Sequence, residues 1–65
     1  MKSETRNALL KAYSQLEQIV SDLYDAADAA VEMGDFEDAS LLQTRADILY
    51  EQMENLDFVI SELEE

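Results

Sequence analysis

The sequence predicts an all-α fold, an antiparallel two-helix hairpin. Two long stretches repeat apolar residues at alternating three- and four-residue steps, the spacing of a helix packed along one seam. There is no Pro, and the one Gly stands between the two stretches. The chain is also rich in Ala, Leu and Glu, which favour helix over sheet.

The first stretch, Leu9, Tyr13, Leu16, Val20, Leu23, Ala27 and Ala30, predicts a helix over about residues 4–33, with Ser3 as its N-cap. Met33-Gly34-Asp35-Phe36 predicts the turn. Gly34 has no Cβ to oppose the left-handed conformation that ends a helix, and Asp35 is placed to cap the next one. Glu37 and Asp38 would then lie in a first turn, where the helix dipole favours negative charge. The second stretch, Ala39, Leu42, Ala46, Leu49, Met53, Leu56, Ile60 and Leu63, predicts a helix over about residues 36–64. So short a connection makes the helices antiparallel neighbours, each about 45 Å long at 1.5 Å per residue.

Both helices also carry apolar residues off the seam. Leu10, Ala12, Ile19, Tyr24, Ala26 and Val31 lie on the first, and Leu41, Ile48, Tyr50, Phe58 and Val59 on the second. Two helices alone cannot cover that width. Tyr24, Leu41, Ile48, Phe58 and Val59 are therefore candidate contacts for a second copy, completing a four-helix bundle dimer, or for another protein.

A chain of 65 residues makes one small domain, spanning residues 1–65. With no Cys and no His, it has neither a disulfide framework nor a Cys/His zinc site to supplement a small core, so association is the expected supplement. No apolar run approaches the ~20 residues that span a bilayer. The opening MKSETRNALL has no apolar segment of the secretory type, which predicts a cytoplasmic protein.

Charge is the outstanding feature. Sixteen acids stand against four bases, a net charge of −12, and beyond Lys11 the only base is Arg45. That excess opposes direct binding to nucleic acid or an anionic membrane and favours cationic partners. The segment DLYDAADAAVEMGDFED (22–38) holds seven carboxylates and no base.

Three readings of these acids compete. The first is a metal site, but EMGDFEDAS lacks the alternating oxygens of an EF-hand loop. Glu51 and Glu54 form an ExxE pair that resembles the Mg²⁺-holding acids of all-α nucleotide pyrophosphohydrolases; yet they fall opposite the seam, where that family turns its acids inward. No metal or other cofactor is expected. Nor is catalysis: there is no His or Cys, and the Ser residues lie at a cap or on outer positions without a suitable base.

The second reading is a solvated face. Ordinary surface helices mix signs, because Glu–Lys pairs four apart stabilise them, whereas like pairs such as Asp28–Glu32 and Asp47–Glu51 cost a few tenths of a kcal/mol each. Solvation explains solubility and leaves the one-sidedness unexplained. The third reading is imitation of nucleic acid. Asp22, Asp25, Asp28 and Glu32 step along the outside of the first helix at about 4.5–6 Å, and DNA carries a charge every ~3.4 Å per strand. Asp35, Glu37, Asp38, Asp47, Glu51 and Glu54 extend the surface, with a second row expected beside the first. A protein built to grip phosphates would accept such carboxylates in their place.

The short, acidic, cysteine-free chain resembles the DNA-mimic inhibitors of phages and mobile elements, including anti-CRISPR and anti-restriction proteins. The resemblance lies in charge, size and helical tendency, with no shared motif. It implies a non-enzymatic inhibitor acting in a bacterial host cell, blocking the phosphate-binding groove of a basic, nucleic-acid-binding defence protein. The stretch GDFEDASLLQTRADIL also resembles the UVR motif of excision-repair proteins. Phe36, Glu37, Ala39, Ser40, Leu42 and Leu49 match, while Gln43, Thr44 and Ala46 depart from it; a single TPR unit is about as similar. Both families imply a helical hairpin and protein–protein contact. The competing function is thus an adaptor that docks through the off-seam apolar residues, with the acids serving solubility.

Overall fold

A computed structural model describes residues 1–63. It consists of two helices, α1 (Ser3–Glu32) and α2 (Phe36–Leu63), packed against each other as a hairpin. The expected end of the second helix at residue 64 lies outside the described residues.

The seam forms as the spacing predicts. Val20 and Ala27 of α1 are buried against Ala39, Ala46, Met53 and Ile60 of α2. Leu9, Tyr13, Leu16, Leu23 and Ala30 are half-buried, as are Leu42, Leu49 and Leu56. Leu63 departs from the pattern at 53% exposed, because it lies at the open end of the hairpin, where few neighbours remain. The buried side chains are small toward the turn (Ala27, Ala39, Ala46) and larger toward the open end (Val20, Met53, Ile60), so the core tapers toward Gly34.

The turn is a Schellman motif. Gly34 takes φ +80°, its N–H donates to the Val31 carbonyl at 3.0 Å, and the Asp35 N–H donates to the Ala30 carbonyl at 2.9 Å. Two carbonyls left open by the end of α1 are thereby satisfied. Asp35 stands immediately before α2, and its carbonyl accepts the Ala39 N–H at 2.9 Å, the first bond of that helix. A Cβ built on Gly34 would meet nothing within 4 Å, so the need for glycine is one of backbone conformation alone. Gly34→Ala should therefore cost about 1–2 kcal/mol, the price of holding an L-residue left-handed. Urea denaturation checks this, and an unchanged midpoint would show that the turn does not depend on that conformation.

The other end corrects one expectation. Ser3 is not the cap of α1 but its first helical residue. Lys2 takes the cap position, with extended backbone (φ −68°, ψ 145°) and no side-chain cap hydrogen bond. A capping side chain must sit on a non-helical residue, and Ser3 is already inside the first turn.

Candidate functional site

The seam fixes where every carboxylate points. Asp22, Asp25, Asp28 and Glu32 fall opposite it and are all exposed, forming a ridge down the outer edge of α1. Asp35, Glu37 and Asp38 are exposed around the turn and carry the ridge over the tip. The segment 22–38 is thus one continuous acidic edge and crown.

The expected second row does not lie beside the first. Glu51 faces outward from α2, and outward from α2 is away from the α1 ridge. Asp47 and Glu54 sit on one broad face of the hairpin, where Tyr24 of α1 meets Asp47: its hydroxyl donates to the Asp47 carboxylate across the pair. Of the ten acids singled out by sequence, the structure gathers seven into one surface and sets three apart on α2.

The helix dipole favours Glu37 and Asp38 in the first turn of α2, but the four acids on α1 have little such support. No Lys or Arg stands three or four residues from any of Asp22, Asp25, Asp28 or Glu32, and the last turn of α1 holds Glu32 with no base. A carboxylate there opposes the negative end of the helix dipole. The described polar contact within the ridge is local: the Gln18 amide Nε2 donates to Asp22 Oδ1 at 2.9 Å.

The spacing marks Tyr24 as an association contact and Tyr13 as a seam residue. Both are half-buried beside acids. The hydrogen bond to Asp47 raises the Tyr24 phenol above its usual pKa, helped by burial and by the charge of Asp47 and the neighbouring Tyr50. Burial raises Tyr13 as well, with Asp57, Glu17, Tyr50 and Glu54 adding to it. The signal was present in the antiparallel register, which brings the flank of α1 holding Glu17 and Tyr24 against the flank of α2 holding Tyr50 and Asp57.

Both shifts act on stability in the same direction. The folded chain keeps these phenol protons to a higher pH than the unfolded chain, whose tyrosines titrate near pH 10. Their contribution is present in full below about pH 10 and is lost as pH rises through the raised folded values. The melting temperature should fall across that alkaline window, and less steeply in Tyr24→Phe. A melting temperature flat between about pH 9 and 11 would show that the phenols are not held in this way.

Chemically, the surface offers charge and little enclosure. Among the described residues, no three His, Cys, Asp or Glu side chains converge to hold a metal ion. Gly34 to Asp38 line a shallow, open depression of about 270 Å³ at the turn, and all five of these residues are exposed. No helix among the described residues is long and apolar enough to cross a membrane. Leu41 (59%), Ile48 (42%), Phe58 (65%) and Val59 (38%) are all exposed large apolar side chains.

No protein-family model, curated protein or solved structure matches the chain.

Proposed function

We propose that the chain is a non-enzymatic inhibitor that presents the acidic edge of α1 and the tip to a basic, nucleic-acid-binding protein. The observation that carries this reading is the segment 22–38: seven carboxylates on one exposed edge, with no neighbouring base and one of them set against the helix dipole. The four acids on α1 repel one another at three- and four-residue spacing, and a partner that meets them would relieve that cost. A groove of Lys and Arg laid out for phosphates is such a partner, and long-range attraction would speed the encounter. A defence protein of a bacterial host is the target this chemistry suits.

The test is capture from bacterial lysate at low and high salt, followed by challenge with DNA or RNA. Mimicry requires capture that weakens steeply with salt and a captured protein that nucleic acid displaces. A captured protein that holds the hairpin and its nucleic acid together would end the mimicry reading.

A second reading draws on a separate observation. The exposed Leu41, Ile48, Phe58 and Val59 give α2 an apolar surface suited to an adaptor. Its binding to a partner would be nearly independent of salt and would fail in Leu41→Asp or Ile48→Asp, with the acidic edge intact.

A further inference from the structure

One broad face of the hairpin interleaves aromatic rings with carboxylates. The Tyr24–Asp47 contact marks that face. Tyr50 neighbours both Tyr24 and Tyr13, and Tyr13 also has Glu17, Glu54 and Asp57 beside it. We infer that this face takes arginine side chains of a basic partner, each guanidinium lying over a tyrosine ring with its N–H groups on an adjacent carboxylate.

The register sets the alternation. With Tyr24 level with Asp47, the antiparallel count places Tyr50 level with Ser21, Glu54 with Glu17, and Asp57 with Ser14, next to Tyr13. At 1.5 Å per residue, rings and carboxylates follow one another over about 16 Å. Two of the rings are prepared for a ligand. Tyr50 is 44% exposed, so a ligand can reach it. The hydroxyl of Tyr24 is held by Asp47, which ties down a half-buried ring before anything binds. No Lys or Arg occurs between residues 12 and 24 or between residues 46 and 63, so the paired stretches carry no cation of their own.

The chemistry selects arginine over lysine. A guanidinium is planar and weakly hydrated, so it can stack on an aromatic ring and still reach a carboxylate with two N–H groups at once. An ammonium is compact and strongly hydrated, and it gains less from the ring. The outer edge of α1 presents carboxylates and no ring, so it attracts either cation. The ridge thus supplies most of the attraction, and the tyrosine face supplies the choice of side chain. That choice goes beyond the inhibitor reading and does not depend on it.

Hexaarginine and hexalysine peptides with blocked ends, titrated by calorimetry into the full chain at about 0.15 M salt, test the inference. Hexaarginine should bind about fivefold or more tighter than hexalysine. Tyr50→Leu should erase that difference, whereas Tyr50→Phe, which keeps the ring, should retain it. Both changes fall at an exposed helical position, so helical circular dichroism should be unchanged. Reversing the α1 ridge to lysine should weaken both peptides alike and leave their ratio standing, which separates a failure of the ridge from a failure of this face. As an independent check, bound hexaarginine should move the tyrosine titration, read by ultraviolet absorbance, to lower pH, because a nearby cation favours the phenolate. Equal affinity for the two peptides, no binding of either, an arginine preference that survives Tyr50→Leu, or a tyrosine titration unmoved by hexaarginine would overturn the inference.

Discussion

Reversing the ridge of α1 with Asp22→Lys, Asp25→Lys, Asp28→Lys and Glu32→Lys together should weaken binding to a basic partner about thirtyfold or more. Each exposed pair contributes roughly 0.2–1 kcal/mol, and reversal replaces that attraction with a repulsion of similar size. Four positions then sum to roughly 2–8 kcal/mol, at 1.4 kcal/mol per tenfold. The four acids span about 15 Å of α1, so their spacing of about 5 Å is looser than that of one DNA strand but still near that of a phosphate-binding groove. The loss should be concentrated in the association rate and should shrink as salt rises, since exposed charges beyond about 8–10 Å are screened at physiological ionic strength. The hairpin itself should not suffer, because all four side chains point away from the seam and Lys is a good helix former. Titration of the purified partner against wild type and variant, at two salt concentrations, reads both affinity and its salt dependence. An affinity unmoved by the four reversals would remove the ridge from the binding surface and leave the apolar contacts of the adaptor.

The same geometry narrows what a partner can grip. The acids on α2 do not reinforce the ridge: Glu51 faces the far edge, and Asp47 is engaged by Tyr24. A groove that embraces α1 and the tip reaches seven carboxylates from one side. Charge reversal at Glu51 or Glu54 should therefore matter less than reversal at Asp25 or Asp28, a contrast that charge counting alone would not produce.

Most of the fold was legible because a seam is written in one dimension. The step from Leu9 to Tyr13 to Leu16 names the buried face of α1 without knowledge of what covers it, and the same holds from Ala39 to Ile60. Gly34 was legible for a local reason, since only its own backbone needed to be known. Ser3 was misread because capping depends on which residue first turns helical, a matter of one position at a fraying end. The arrangement of acids was partly hidden. Spacing shows that Asp22 to Glu32 share a face and that Glu51 lies on the outside of its helix. That two outer faces of a hairpin point in opposite directions appears only when the helices are set against each other. The Tyr24–Asp47 contact was hidden for the same reason, since it joins residues 23 apart whose meeting is decided by register.

The fold's most sensitive position should be Ala46, the one core residue among the described residues with no exposed surface. Ala46→Leu adds apolar area and substitutes one strong helix former for another, so burial and propensity alone would predict a gain. The close approach of α1 and α2 predicts a loss. A Leu there must push the helices apart or leave its rotamer well, which costs about 1–3 kcal/mol. A domain of this size has roughly 3–10 kcal/mol of stability in all, and each kcal/mol moves the melting temperature by about 4–8 °C. Ala46→Leu should therefore melt about 5–20 °C below wild type. Ser21→Leu, which makes a comparable addition at an exposed position of α1, should move it little. The effect should also be local, because the core around Met53 and Ile60 is filled by larger, more adaptable side chains than the alanines near the turn. Were Ala46→Leu to raise the melting temperature, the helices would have room between them at that level, and the tapered core would be wrong.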